Sequence, residues 1–599
     1  MLRTSAFSIT LAALLASSAS PVLAQVGAPS APPAAAPAAD PSTSAMVNLV
    51  RLLVQQGTIT RENGDALLRQ AQAEAGQARV AAGELTPPAP GAVRVPYVPQ
   101  SVRNAIRDEI KAEVMKQASD EGWAAPNQKA PGWVEKVRLN ADFRFRGQRD
   151  LFAKSNATDI FDYNAINNTA GGFDFFRNIN SAPFVNRTVD RDRLRIRARL
   201  GAEFDVGPFA MVAAKLATGD DNSPISTNQS LGGGLAKRNI WLDQAYVRLT
   251  PHKNVTATLG RFPNPFASSD LVFDRDLNFD GGVIDLHTAF DGGTSVALRG
   301  GAFPLDFGSD NYPSTDQVKQ KYPSKWLFGG QAEARSEIAG VKLSAAAAFY
   351  HFRNIQGQLS APCLFNGQTI GIGGNDPTEC SSDGSRAFFP RYGNTLFFVR
   401  DIIVPPGDTQ PASNRQYLGL SYKYSLIDLN ASAGFRIGGV DALLQGNYVR
   451  NLAYKKSDAC RYGSSPNGVP FTNVTGTPIP GTNPPQINFN PCSAANPATI
   501  DGGNQGFLAR LTIGNAKPRK RGEWNLSGDY RYLETDAVLD SLTESDFHLG
   551  GTNAKGYSIA GSLGLMDGVW LTGRWFSANE ITGRPIAIDT FQIDLNGEF

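Results

Sequence analysis

The segment RLRIRARLGAEFDV, residues 193–206, places Leu194, Ile196, Ala198, Leu200, Ala202, Phe204 and Val206 against Arg193, Arg195, Arg197, Arg199, Glu203 and Asp205. Successive side chains of a strand point to opposite faces, so this is one strand with an apolar and a charged side. The pattern returns in VRLNADFRFRGQR from Val137, in KWLFGGQAEARSEI, DLNASAGFRI, EWNLSGDYRY and GYSIAGSLGL, and in the last residues, FQIDLNGEF. These segments run about 10 to 14 residues, against about five or six for strands of a soluble sandwich. Their apolar faces hold many Ala and Gly, and aromatics (Trp133, Phe145, Trp241, Trp326, Phe349, Trp524, Tyr532 and Trp575) gather toward segment ends. After the first 24 residues no run of about 18 apolar residues occurs, so any crossing of a membrane must be made by strands. The spacing predicts an all-β transmembrane barrel, lipid outside and water inside.

Connection lengths give the strand number. Long connections (148–191, 219–237, 262–280, 304–324, about 353–420, 456–504, 535–554 and 579–587) alternate with tight turns near Gly207, Pro251, Asp291, Gly340, Gly439, 516–520 and Asp567. This predicts about 16 antiparallel strands, with both ends of the barrel segment on the short-turn side and the last strand closing on the first. Sixteen strands enclose an aqueous channel, whereas eight would be filled by side chains.

The other end of the chain is of a different kind. Arg3, the apolar run from Ala6 to Leu15 and the small residues up to Ala24 have the form of a secretory signal, residues 1–24, cleaved after Ala24. A Pro/Ala linker, 25–45, precedes a helical hairpin, 46–82, whose second helix has Thr60 as N-cap. A Pro-rich linker, 83–98, leads to an amphipathic helix, 99–121, with Val102, Ile106, Ile110 and Val114 four apart, which is not a clean heptad. The barrel is placed at 133–599, and the helices on its periplasmic side.

A net charge of +2 over 599 residues gives no pull toward nucleic acid. Cys363, Cys380, Cys460 and Cys492 lie in polar loops of an exported chain, without the spacing of a zinc or redox site. Nearness in sequence favours the pairs 363–380 and 460–492 among three possible pairings. With only His252, His287, His351 and His548 and no nucleophile elbow, an enzyme is not expected, nor is a cofactor.

Taken with GWVEKVRLNADFRFRGQ, LDQAYVRL and LGRFPNPFASSDLVFDRDLNFDGG, the helical LVRLLVQQGTITRENGDALL makes nearly the whole mature chain resemble the bacterial putative porin family. The resemblance implies passive diffusion of small hydrophilic solutes across the outer membrane. Phe599 resembles the terminal signal by which the barrel assembly machinery recognises such proteins, and other sixteen-strand porins suggest a homo-oligomer, a trimer by analogy. The rival reading is an adhesin or structural tether that uses the barrel as an anchor.

The arginine row is the strongest local feature. Arg193, Arg195, Arg197 and Arg199 fall about 6.6 Å apart along one face. The first strand adds Arg138, Arg144 and Arg146, with Asp142 as the expected inward acid. A charged wall biases which ions pass; interior salt bridging is the plainer alternative. The 262–280 connection, stiffened by Pro263 and Pro265, carries Asp270, Asp274, Asp276 and Asp280 and would oppose the arginines if it folded into the lumen. Asp276, Asn278, Asp280 and Gly281 also match the start of a calcium loop, but position twelve is His287, so no metal is expected.

Overall fold

A computed structural model describes residues 136–599 apart from 177, 221–222, 309–311, 313–318, 320–321, 364–379, 381, 405–413, 483 and 485; before 136 it describes only 54, 59–60, 62–66 and 69. Contacts divide the chain into two units, 1–131 and 132–599. In the first, residues 62–66 are helical and the Thr60 hydroxyl accepts from the Asn63 amide at 3.4 Å, as expected of an N-cap. The signal, both linkers, the 99–121 helix and the rest of the hairpin lie outside the described residues.

The second unit is a closed antiparallel barrel of sixteen strands: β1 (Val137–Phe152), β2 (Arg191–Gly207), β3 (Ala210–Thr218), β4 (Ile240–His252), β5 (Val255–Pro263), β6 (Asn278–Phe290), β7 (Thr294–Asp306), β8 (Lys325–Ile338), β9 (Val341–Arg353), β10 (Tyr424–Ile437), β11 (Val440–Asn451), β12 (Gln505–Gly514), β13 (Trp524–Leu533), β14 (Ala554–Met566), β15 (Val569–Glu580) and β16 (Ala587–Glu598). Each pairs with its neighbour in sequence, and β16 pairs with β1 from Glu598 opposite Asp142 to Ile588 opposite Phe152. The Phe599 backbone extends this ladder through two hydrogen bonds to Ala141 at 3.1 and 3.2 Å, so the terminal strand is held on both sides.

Alternation decides which face each side chain takes. Leu194, Leu200 and Phe204 of β2, Phe143 of β1 and Ile593 and Leu595 of β16 stand exposed on the outer wall, while Arg144, Arg146, Asp594 and Gln592 are buried within. Seven short turns close one end. In the β10–β11 turn Gly438 and Gly439 have φ of 57° and 85°, the pair of left-handed conformations a two-residue hairpin requires. The other end carries L1 (153–190), L2 (219–239), L3 (264–277), L4 (307–324), L5 (354–423), L6 (452–504), L7 (534–553) and the short L8 (581–586). Two sequence expectations change: β1 continues past 148, and Phe145 and Trp575 lie mid-strand, not at strand ends.

The main hydrophobic core lies where the long loops turn inward. Phe266, Leu271, Val272 and Phe273 of L3, Leu396, Leu418 and Leu420 of L5, and Val538, Leu539 and Leu542 of L7 pack with Phe303, Leu327 and Tyr350 of the wall. Bridges join Cys363 to Cys380 within L5 and Cys460 to Cys492 within L6, with Cα separations of 5.7 and 5.4 Å, the expected intraloop pairs.

Candidate functional site

A cavity of about 1050 Å³ occupies the barrel from the short turns up to the infolded loops. Its charged side is built by β1 and β2, whose register sets Arg144 opposite Arg197 and Arg146 opposite Arg195. The predicted arginines therefore come together on one wall, but most have carboxylate partners. Arg197 and Arg199 both bind Asp142, at 3.0 and 2.6 Å, and both reach Asp276, at 3.4 and 3.2 Å. Arg146 binds Asp594 of β16 at 2.7 Å and Asp546 of L7 at 2.8 Å. Arg193 shares Asp150 with Arg191, each at 2.8 Å. Arg138 pairs with Glu203 and Asp205 near the short-turn rim. Asp142 is thus not the sole inward acid of β1: Asp150, fully buried, is a second.

Two arginines are different. Arg144, 8 % exposed, donates to the Asn228 side-chain oxygen, and its Nε has no partner. Arg195 has only a 3.4 Å contact with Gln148, and its Nε is also unpartnered. Neither has a carboxylate within ion-pair distance among the described residues.

L3 does enter the lumen. Its Ala267 amide and carbonyl are both held by Gln331 of β8, and Ser269 donates to Asn447 of β11. Asp270 binds Arg510 of β12 at 2.7 Å, and Asp276 binds β2. The loop thus links two distant sectors of the wall. Burial works against ionisation of Asp276, but Arg197, Arg199 and Arg144 outweigh it and hold its carboxyl below the usual range; Arg275 and Arg510 do the same for Asp270. Asp274 faces L7, accepting from the Ser545 amide at 2.9 Å, and burial and the neighbouring Asp276 charge push it up. Asp280 does not belong to this group. It lies on β6, half exposed, bound at 3.0 Å to Arg261, which opposes it on β5.

L7 is the part the sequence reading missed. Its Asp546 meets Arg146, Glu544 meets Arg531, and its backbone meets L3 through Asp274 N to Leu542 O at 2.8 Å. The acidic TESD stretch was a usable signal, since it repeats the acidity of L3. His548, beside it, is bonded through Nε2 to the Ile586 carbonyl, and burial with the Arg187 charge lowers it to about 3. Among the described residues no hydroxyl is bonded to it. The calcium pattern is not assembled either: Asp276 is on arginines, Asn278 donates to Asp243, and Asp280 is on Arg261.

Compared with known proteins, the chain matches a family profile described as Putative porin over residues 43–599. No curated protein matches. Solved structures similar to it include Pseudomonas putida OprB at high pH (9 % identity, 82 % of this chain and 97 % of that chain covered, TM-score 0.38). Others are Salmonella typhi OmpF with daunomycin (8 %, 78 % and 99 %, 0.34) and the outer membrane channel DcaP of Acinetobacter baumannii (10 %, 78 % and 98 %, 0.33).

Proposed function

Because the chain belongs to the Putative porin family, we propose that its barrel passes small hydrophilic solutes and ions through the outer membrane, with a preference for anions set at the β1–β2 wall. The observation that carries this reading is the pair Arg144 and Arg195, which among the described residues lack the ion-paired carboxylate that the other arginines of this wall have. Fixed positive charge beside water raises the local anion concentration, and the effect fades as the screening length falls to about 3 Å at about 1 M salt. Support comes from the cavity below L3, L5 and L7, whose lining includes Arg144, Arg146, Arg197 and Arg199 of this wall.

Planar bilayers under a salt gradient test it. Replacing Arg144 and Arg195 with Gln keeps hydrogen-bonding capacity and removes both charges, so the reversal potential is expected to move toward cations, more at about 0.1 M than at about 1 M salt. An assembled double variant with an unmoved reversal potential would show the row to be structural. Absence of any single-channel conductance would instead favour the anchor reading, to which the disulfide-bridged L5 and L6 are the natural display elements.

A further inference from the structure

At the long-loop end a second cavity, of about 230 Å³, lies between L1, L2, L5 and L7. Two arginines reach it. Arg187, 7 % exposed, donates one Nη to the His548 carbonyl at 3.1 Å and leaves Nε buried without a partner. Arg391 donates to the Ser223 hydroxyl at 2.9 Å and to the Leu549 carbonyl at 3.4 Å. Among the described residues neither guanidinium has a carboxylate within ion-pair distance. Asp162, which also lines the cavity, accepts from the Ala165 amide as a helix cap. Burial, then Arg191, with Arg391 adding to it, lowers Arg187 to about 10. The buried Arg187 and the half-buried Arg391 thus stand near each other, and among the described residues Asp540, Asp274 and Asp162 offset the Arg391 charge only from beyond ion-pair distance, which leaves the pair room to gain from an arriving anion.

Apart from Asn164, the remaining lining is aromatic and apolar, with Phe161, Tyr163, Phe389 and Tyr392 around the space. Its backbone is also strained. Phe389 and Leu549 line the cavity with φ of 43° and 62°, and His548 next to it has 55°. Non-glycine residues held in the left-handed region carry a conformational cost and gather at ligand clamps. Rings with a forked cation fit an amphipathic anion, the ring packed on rings and the carboxylate on a guanidinium.

We propose that this cavity is a binding site for a small aromatic carboxylate, held by Arg187 and Arg391 against the Phe389 and Tyr392 rings. The site is separate from the selectivity assigned to Arg144 and Arg195, and binding to it needs no conductance.

Calorimetric titration of the full-length protein in detergent with benzoate tests it. Benzyl alcohol, with the ring and no charge, and inorganic phosphate, with charge and no ring, serve as comparisons. Benzoate is expected to bind at least about tenfold more tightly than either. The double variant Arg187→Gln/Arg391→Gln should lose at least about tenfold in benzoate affinity through loss of charge-assisted bonds. Phe389→Gly removes a ring while relieving its backbone strain, so it should assemble and bind benzoate more weakly. No benzoate binding by the wild-type protein overturns the proposal. So does equal binding of benzyl alcohol or of phosphate, or an assembled variant of either kind that binds benzoate as the wild type does.

Discussion

Asp150 and Asp280 show how differently two aspartates of one barrel are used. Asp150 is fully buried and accepts from Gln148, Arg191, Arg193 and Thr590. Asp150→Asn would leave two arginines facing each other without their shared carboxylate, and a loss of about 3–5 kcal/mol is expected, read as a lower temperature of the heat-induced gel shift. Asp280→Asn breaks a pair open to solvent and should cost under about 1 kcal/mol in the same assay. The arginine row itself was legible, because alternation alone fixes the face of each residue. Asp150 was not, since beyond Gln148 both faces of β1 turn polar, with Arg149 outward and Asp150 inward, and nothing in the sequence distinguishes such a strand from a loop. Arg187 and Arg391 were out of reach for a further reason: L1 and L5 bring them together, and loop paths have no period to read.

The loops carry the chemistry that the strands only frame. L3 was expected to face the arginines, and Asp276 does so, but L7 reaches the same wall through Asp546 and packs on L3 through Ser545 and Leu542. L7 also contains Asp540, which burial raises to about 7 although it accepts from the Arg391 amide. Its folded value lies above its unfolded one, so native L7 holds a proton that the unfolded chain has released between about pH 4 and pH 7. The stability this provides is present at low pH and is lost as pH rises through about 7. Amide exchange in L7 is therefore expected to quicken from pH 6 to pH 8 after correction for intrinsic rates, and Asp540→Asn should flatten that dependence. The bridges of L5 and L6 each close a loop within one connection, so their reduction should increase proteolysis of the loops and leave the gel shift of the barrel unchanged. Loss of the shift on reduction would mean that the loops hold the cylinder together.

Closure pairs the strand that leads to Phe599 along both of its edges. The Phe599 backbone is paired with Ala141, while the residue as a whole is 77 % exposed. Truncating that side chain to Ala should thus barely change the heat resistance of assembled barrels, yet the resemblance that makes it an assembly signal implies fewer of them in the outer membrane. The count of sixteen was legible for the same reason that closure works: strands that alternate, and connections that alternate long and short, can end only beside their beginning. The segment ahead of the barrel, whose sequence is read as helical, follows no such constraint. Its apolar spacing of four drifts around a helix, which permits packing on a copy of itself without prescribing it. Since a barrel with both edges paired needs no help from that segment to close, deleting residues 45–121 is expected to leave single-channel conductance unchanged and to reduce the oligomer seen by chemical cross-linking. A deletion variant that cross-links as fully as the intact protein would place the contacts between subunits on the barrel wall.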